Sequence, residues 1–358
     1  MKRFLKIIGI ILLIIVVVVV GYLGYVWVTY DRIEDNQVLA VEGEKSGCTV
    51  SVGEEYTIVT QNMGFGAYTR DFSFFMDGGT ESRAKSPETV LNCFSKATQL
   101  IEGLTPDIIL FQEVDEEAHR SCKIDQIKLL EDYFAGNNYV YARNFDSAYI
   151  MYPITKPHGK SKSGILTISK FDIASGLRRQ FEISNSVSKL VDLDRCYSVS
   201  RIPVNNGHEL IIYNTHMSAY GGSDVIRESQ LSQICSDMKE EYEKGNYVIC
   251  GGDFNCDFAS DSVKILNGED YKMDVGWAQP MLTDCIPDGI VRCLDYVNGE
   301  ILPTCRNCNK PYEEGDFTII VDGFLASENV ETTYLENIQN GFEFADHMPV
   351  VMKFKLVE

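Results

Sequence analysis

Apolar and polar residues follow two different spacings along this chain, and both recur through most of its length. Short apolar runs such as TIVTQN, DIILFQE, ELIIYNTH and YVICGGDF are typical of buried strands. Helical spacing of apolar residues is found over 86–104, 123–134 and 226–245. In the first of these segments, Ser86 and Pro87 indicate the start of a helix and Gly103 its end.

The order of these elements predicts the fold class. Strand, helix and strand follow one another around 57–113, which indicates a parallel crossover, whereas later strands are separated only by turns. Strands outnumber helices. A four-layer α/β/β/α sandwich, made of two mixed β-sheets flanked by helices, fits this pattern better than one doubly wound sheet. Residues 259–314 are predicted to be rich in loops, and no internal repeat interrupts the pattern.

The N-terminus predicts a membrane anchor. An uncharged apolar run from Ile7 to Tyr30 is long enough, at about 1.5 Å per helical residue, to cross a hydrocarbon layer of about 30 Å. Basic residues precede the run and acidic residues follow it, so we expect the body of the protein outside the cytoplasm. A cleaved signal peptide is the alternative, but such segments are shorter and end in small residues. This run ends in GYVWVTY, which favours an uncleaved anchor.

These observations divide the chain into a basic cytoplasmic end (1–6), a transmembrane signal anchor (7–30), a polar tether (31–54) and one globular domain (55–358). The expected location is the cell membrane, with a single pass and an extracytoplasmic domain. The lipid bilayer is the partner that 7–30 implies, and no obligate protein partner is indicated.

Charge and cysteine content exclude few of the possible functions and metal sites. The formal net charge of −20 disfavours bulk nucleic-acid binding, because non-specific affinity for nucleic acid comes mainly from Lys and Arg. A local basic cleft remains compatible with it. Of the 11 cysteines, Cys305 and Cys308 form a C-x-x-C pair with Cys285 and Cys293 upstream. Their irregular spacing favours a loop disulfide or buried thiols over a zinc site.

Polar residues close many of the strand-like runs, where ligands of open α/β sheets gather. Glu113 follows a continuous apolar run, and a carboxylate there loses hydration unless it is paired or binds a cation. It fits a Mg²⁺ ligand, although a salt bridge to an arginine or a helix cap explains it equally well. Asp253 and Asn255 follow two glycines, a pattern that suits either phosphodiester hydrolysis or a simple Asx turn.

Histidines and acids near the C-terminal half complete the candidate site. Asp346 and His347 precede the last strand, and Asp322 closes the run FTIIVD. An Asp beside a His favours an imidazolium that faces a phosphate. His216 closes another run, with Asn214 two positions earlier on the same face. A single histidine of this kind is more often structural, but two beside three acids favour catalysis.

Together these motifs resemble the endonuclease/exonuclease/phosphatase superfamily, which includes pancreatic deoxyribonuclease, abasic-site endonucleases, bacterial sphingomyelinases and inositol polyphosphate 5-phosphatases. The matching pieces occur in family order within 56–358: TQNMG, QEV, NTH, GDFN, VDGFLAS and DHMPV. The resemblance implies the four-layer sandwich and phosphoester hydrolysis that depends on Mg²⁺ or Mn²⁺. It makes residues 55–358 the catalytic domain.

The resemblance also implies roles for individual residues. It makes Glu113 the metal ligand, with Asn62 beside it, and Asp346 a further contributor to the metal site. Asp253 orients the attacking water, and Asn255 holds a phosphate oxygen.

The remaining roles concern charge and substrate. His347, supported by Asp322, stabilises the transition state, and His216 is a general acid or a phosphate ligand. Asn214, and Tyr220 in a loop after His216, are the candidate substrate contacts.

The function expected from the sequence is therefore a membrane-anchored, metal-dependent phosphodiesterase or nuclease-like hydrolase that faces away from the cytoplasm. Its substrate is a nucleic acid, a phospholipid or a small phosphoester. The alternatives are a sphingomyelinase-like phospholipid hydrolase and a phosphomonoesterase. A non-catalytic binding module on the same fold belongs to another class, and the intact set of acids, amides and histidines argues against it.

Overall fold

Two seven-stranded mixed β-sheets form the centre of the protein in the computed structural model, which describes residues 1–190, 192–219, 224–269, 271 and 279–358. Within this part of the chain the helices are α1 (Lys2–Thr29), α2 (Pro87–Gly103), α3 (Gln126–Tyr133), α4 (Asp224–Glu243) and α5 (Ser262–Asn267). The strands of the first half are β1 (Gln37–Leu39), β2 (Val41–Gly43), β3 (Glu55–Asn62), β4 (Ile108–Asp115), β5 (Asn138–Asp146), β6 (Lys162–Ser169) and β7 (Ser175–Gln180). Those of the second half are β8 (Cys196–Pro203), β9 (Glu209–His216), β10 (Tyr247–Asp253), β11 (Ile290–Arg292), β12 (Cys305–Arg306), β13 (Thr318–Ile319), β14 (Asp322–Ser327), β15 (Val330–Asn337) and β16 (Val350–Leu356).

The strand order is β1-β7-β8-β9-β10-β14-β11 in the first sheet and β15-β16-β3-β4-β6-β5-β2 in the second, with β12 and β13 as a separate pair. Alternate residues of a strand point to opposite faces, and β4 shows why the sheets are layered. Ile108 and Leu110 lie in the core shared with the first sheet, whereas Ile109 and Phe111 pack against the cluster that contains α2 and α3. A strand segment buried between two apolar layers must itself be apolar, as Ile108–Phe111 of β4 is.

Helices cover the outer faces of both sheets. α2 begins where the sequence predicts, since the Ser86 side chain accepts a hydrogen bond from the backbone N–H of Thr89 and Pro87 is the first helical residue. On the other side, Leu231 and Met238 of α4 join the core of the first sheet. The prediction of a four-layer α/β/β/α sandwich is confirmed.

The segment that contains the run FTIIVD is divided into β13 and β14. The backbone N–H groups of Val321 and Asp322 both donate to the hydroxyl of Thr304, at 2.9 and 3.1 Å. Neither N–H group therefore donates to a neighbouring strand at this point. The expectation that Asp322 closes a strand is therefore wrong, because Asp322 opens β14. Since β14 runs antiparallel to β10, its first residue lies beside the last residue of β10, with Asp322 opposite Asp253.

The register of the parallel pairs brings further candidates to the same edge. β9 and β10 place His216 opposite Asp253, and β3 and β4 place Asn62 opposite Gln112. The carboxyl ends of parallel strands share one edge of a sheet, where ligands bind. The two sheets therefore deliver polar side chains to one crevice.

The segment predicted as a tether contains two short edge strands. β1 pairs with β7 in the first sheet and β2 pairs with β5 in the second. Before them, α1 is long and apolar enough to cross a membrane. Residues 2–21 of this helix are exposed, and Val26 is buried against the domain.

Candidate active site

A cavity of about 410 Å³ opens at the edge of the sheets where the polar strand ends meet. The predicted site residues that line it are Glu113, His216, Asp253, Asn255, Asp346 and His347. Three further predicted residues, Asn62, Asp322 and Asn214, are buried. Asn62 is hydrogen-bonded to Asp253 and Asp322 to His347, whereas Asn214 lies in the core next to the cavity. Tyr220 lies outside the described residues.

Asp253 is at the centre of the arrangement and is almost completely buried. One of its carboxylate oxygens accepts a hydrogen bond from the Asn62 side-chain amide at 3.0 Å, and the other accepts from the backbone N–H of Asn255 at 2.9 Å. Burial and the neighbouring Asp322 raise the pKa of Asp253 to about 7, although His347 opposes the shift. A carboxylate in this state is suited to accept a proton near neutral pH.

His347 and Asp322 form a buried pair that joins the two sheets. His347 Nδ1 lies 2.8 Å from Asp322 Oδ2, and His347 Nε2 lies 3.8 Å from Asp253 Oδ2. Burial alone would lower the pKa of His347, but Asp322, Cys305 and Asp253 together raise it well above the ordinary value. The ring is therefore held as an imidazolium that faces the cavity.

His216 has the opposite character although it is close by. Its Nε2 lies 3.5 Å from Asp253 Oδ2, and its Nδ1 is buried without a hydrogen-bond partner among the described residues. Burial, Arg195 and His347 lower the pKa of His216 well below the ordinary value. A neutral imidazole donates one hydrogen bond but carries no charge, so the two histidines divide two roles between them.

A β-bulge in β4 directs the side chain of Glu113 into the cavity. The β4–β6 register shifts between Phe111 and Val114, and Glu113 has a φ of +54°, which is uncommon for a residue with a long side chain. Bulges of this kind redirect a side chain and often lie next to active sites. Asn255, with a φ of +49°, is a second site residue in this conformation.

Glu113 and Asp346 have the features of a divalent-cation site. Burial and Asp346 raise the pKa of Glu113, although Arg120, His347 and Arg195 oppose the shift. Arg120 is 3.6 Å from Glu113 but lies closer to Asp115, at 2.8 Å. One oxygen of Asp346 is buried without a hydrogen-bond partner among the described residues. Two half-buried carboxylates, one of which has an oxygen without a hydrogen-bond partner among the described residues, are suitable ligands for Mg²⁺ or Mn²⁺.

A second group of possible ligands consists of Asp253, Asp322 and His347, whose donor atoms lie within 4.8 Å of one another. The hydrogen bond between His347 and Asp322 already explains this proximity. Cys305 and Cys308, expected as disulfide partners or buried thiols, are free thiols in the structure. The Cys305 sulfur lies 3.6 Å from His347 Nε2.

Asn214 does not line the cavity. Its side-chain oxygen accepts from Gln112 at 2.8 Å, and its amide nitrogen donates to the Leu166 carbonyl at 3.1 Å. The side chain is completely buried and connects β9 of the first sheet with β4 and β6 of the second. This position supports the sheet edge on which His216 lies, two residues further along β9.

Arg195 lines the cavity and was not identified from the sequence. It is almost fully buried, yet its Nε and Nη1 have no hydrogen-bond partner among the described residues. A buried guanidinium without partners is costly, so a site that keeps one is suited to an anion. The residue directly precedes β8 in an acidic stretch, VDLDRC, where no pattern in the sequence distinguishes it from a surface arginine.

Comparison with known proteins agrees with this geometry. Residues 78–338 match the sequence model of the Endonuclease/Exonuclease/phosphatase family. No curated protein matches the sequence. An endonuclease/exonuclease/phosphatase from Beutenbergia cavernae DSM 12333 has 14% identity and a TM-score of 0.56, and the match covers 85% of this chain and 72% of that one.

Two further solved structures have the same fold. An endonuclease/exonuclease/phosphatase family protein from Bacteroides thetaiotaomicron has 15% identity and a TM-score of 0.55, with 84% of this chain and 95% of that one covered. ANGEL2, described as a 2',3'-cyclic phosphatase, has 15% identity and a TM-score of 0.54, with 91% and 99% covered. At these identities the likeness concerns the fold alone.

Proposed function

Since the chain belongs to the endonuclease/exonuclease/phosphatase family, we propose that it is a phosphodiesterase that depends on a divalent cation and is anchored in a membrane. The observation that supports this most strongly is the convergence of Glu113, Asp253 and the adjacent pair Asp346-His347 from three separate parts of the chain on one cavity. Structural acids and histidines have no reason to share one pocket, whereas hydrolysis of a phosphoester requires a base and positive charge together.

Glu113 and Asp346 would hold the cation, Mg²⁺ or Mn²⁺, which when bound supplies positive charge next to the non-bridging phosphate oxygens. Asn62, expected beside the cation, has its amide nitrogen committed to Asp253 and its oxygen accepting from the backbone N–H of Gly64 at 3.0 Å. We therefore assign Asn62 to the orientation of Asp253 rather than to the cation.

Asp253 is the base of the proposed reaction. The oxygen of a water molecule forms a new bond to phosphorus, one ester P–O bond breaks, and Asp253 accepts the proton that the water loses. The departing alkoxide takes a proton from solvent in the cavity and leaves as an alcohol. Asn62 and the backbone of Asn255 hold the two carboxylate oxygens in place, which fixes the direction from which water attacks.

The charge that develops on the phosphate faces four side chains. The imidazolium of His347, kept positive by Asp322, stabilises it, and Arg195 provides a second positive group. His216 acts as a neutral hydrogen-bond donor, because its lowered pKa argues against a general-acid role. The Asn255 amide donates to the Met217 carbonyl at 2.9 Å, and its second hydrogen is available to a phosphate oxygen.

Membrane anchoring through 7–30 is supported by contacts of α1 with the domain. The Tyr22 and Tyr25 hydroxyls bond to the backbone of 149–151, and Val26 is buried beside Ala148 and Leu190. A segment that is removed after export has no need of such contacts. Lys2, Arg3 and Lys6 precede the apolar run, so the proposed orientation places the catalytic domain outside the cytoplasm.

The test is hydrolysis of bis-p-nitrophenyl phosphate by the purified full chain in detergent. We expect turnover that EDTA abolishes and that Mg²⁺ or Mn²⁺ restores, and loss of roughly 10³-fold in Asp253→Ala and His347→Ala. Leu91→Ser on the exposed side of α2 is the control and should retain full activity. Wild-type protein that neither binds the cation nor turns over any phosphoester would support the binding-module alternative.

A further inference from the structure

The C-terminal part of α1 forms one wall of the catalytic cavity. Tyr22 lines the cavity. Its hydroxyl donates to the Tyr149 carbonyl at 3.1 Å and accepts from the Met151 backbone N–H at 3.2 Å. The Tyr25 hydroxyl accepts from the backbone N–H of Tyr149 at 3.1 Å. The membrane-spanning helix is therefore fixed to the loop that borders the cavity, rather than joined to the domain only through a flexible linker.

The length of α1 beyond this contact is close to the thickness of a bilayer. The twenty residues from Lys2 to Gly21 are all exposed, and Tyr22 is the first residue of the helix with a hydrogen bond to the domain. At about 1.5 Å per residue the uncharged part from Ile7 to Gly21 extends about 22 Å, and the long basic side chains before it can reach the far surface of a hydrocarbon layer of about 30 Å. Tyr22, Tyr25 and Trp27 then lie where aromatic residues are enriched, at the boundary between lipid and water.

The loop bonded to Tyr22 carries an exposed apolar surface. Met151 is 53% exposed, Tyr152 is 64% exposed and Ile154 is 88% exposed, and we call these three residues the apolar loop. Large apolar side chains that cluster on a surface mark a partner or a membrane. Hydrogen bonds fix this loop to a helix that itself enters the lipid, so the bilayer is the surface that these side chains would meet.

The cavity is polar at its base and apolar at its mouth. Asp253 and His347 are buried at the base, whereas the half-buried Tyr22 and the exposed Tyr152 line the cavity on the side of α1. Phe75 and Ile150 add apolar surface along the same wall. A substrate that fits such a gradient has a phosphate at one end of its contact surface and hydrocarbon at the other.

We propose that the cavity opens at the headgroup level of the bilayer that holds α1 and that its substrate is a phospholipid of that bilayer. The inference rests on the proposed phosphoesterase function and names its substrate class. The phosphate reaches Asp253 and His347 while the acyl chains remain in or near the membrane along Tyr22 and the apolar loop. With a net charge of −20, the protein has little general attraction for a polyanion such as nucleic acid.

The experiment compares two substrates with the full chain reconstituted in vesicles and supplied with Mg²⁺. One is a long-chain phospholipid in the same vesicles, and the other is water-soluble bis-p-nitrophenyl phosphate. The variant Met151→Ser/Ile154→Ser removes two exposed side chains that do not line the cavity. We expect phospholipid turnover to fall by about 10-fold or more, because burial of each side chain contributes to membrane contact. Turnover of the soluble ester should stay within about twofold.

Leu91→Ser, which removes an exposed apolar residue from α2, is the matched control and should alter neither rate. An Ile154→Trp variant reports contact independently, because its fluorescence should be quenched by lipids with brominated chains more than that of wild type or of Leu91→Trp. This measurement requires no activity and remains informative if the double variant folds poorly.

The outcomes separate the inference from the function on which it rests. If wild type hydrolyses the soluble ester but not the phospholipid, or prefers nucleic acid or a short-chain monomeric phospholipid, the membrane-substrate inference is overturned and the phosphoesterase stands. If neither ester is hydrolysed with any divalent cation, the proposed function itself fails. Equal losses on both substrates in the double variant would also contradict the inference.

Discussion

His347 Nδ1 lies 2.8 Å from Asp322 Oδ2, and this contact connects the start of a strand in one sheet with the residue that precedes the last strand of the other. Both side chains are buried, so the charge of Asp322 is only weakly screened where it faces the ring. The pair therefore does two things: it holds the imidazole in one orientation, and it keeps the ring protonated beside Asp253.

Asp322→Asn tests this relationship. The amide keeps the size of the side chain but loses the charge, so we expect kcat to fall by about 10²- to 10³-fold, because the ring is no longer held as an imidazolium. His347→Gln should cause a similar loss. The double variant should be hardly worse than either single variant, because the two residues act as one unit. Independent, multiplicative losses would show that Asp322 supports catalysis in some other way.

Glu113→Gln tests the cation site without measuring activity. The amide retains one oxygen ligand but removes the negative charge, so calorimetric titration should show Mn²⁺ affinity weakened by roughly 10-fold or more. Glu117→Gln removes an exposed carboxylate from the same segment and is the matched control. If Glu113→Gln binds Mn²⁺ like wild type, the cation is held elsewhere, and Asp253, Asp322 and His347 become the alternative ligands.

The sequence predicts the fold well wherever burial makes a strand apolar on both faces. β3, β4, β9 and β10 were all identified in this way, and they carry Asn62, Glu113, His216 and Asp253. The strand β7 was missed because its sequence is SGLRRQ. One of its arginines, Arg178, is fully buried and donates to main-chain carbonyls, and a buried charged residue cannot be recognised from an apolar pattern.

The site was less predictable than the fold, because roles depend on partners that are distant in sequence. The ordered motifs identify Asn214 as readily as His216, yet only the structure shows that every polar atom of the Asn214 side chain is occupied by the core. Arg195 is the opposite case, since it is distinguished only by two buried nitrogens that have no hydrogen-bond partner in the described part of the chain. The contact of Tyr22 with the cavity also depends on how α1 is oriented against the domain, which no local pattern encodes.

Arg195→Met tests whether the buried guanidinium binds the phosphate. Methionine fills a similar volume without charge, so KM should rise by about 10-fold as a charge-assisted contact is lost. The thermal stability should be unchanged or higher, because the substitution removes a buried positive group with two nitrogens unpaired among the described residues. A lower melting temperature with an unaltered KM would instead indicate a structural role for Arg195.

The dependence of activity on pH should report the buried carboxylate. Because burial raises the pKa of Asp253 to about 7, kcat/KM should fall as the pH decreases below that value and level off above it. The observed midpoint belongs to Asp253 together with His347, since the two groups interact closely. Asn62→Ala removes a hydrogen bond to the charged form, so the midpoint should move upward by roughly one pH unit. A midpoint below pH 5 would exclude Asp253 as the base.

The stability of the fold in acid should depend on His158, which is buried at the side of the cavity and contacts the Ser82 carbonyl through Nδ1 at 2.7 Å. Burial and Arg120 lower the pKa of His158 from 6.5 to about 4. Between these values the unfolded chain binds a proton that the folded protein does not. The stabilisation is therefore complete above pH 6.5 and is lost as the pH falls toward 4, by about 3 kcal/mol at most. In His158→Asn, whose amide still donates to Ser82, the difference in unfolding free energy between pH 7 and pH 4 should be smaller by this amount. His208→Asn, at an exposed position, should leave it unchanged.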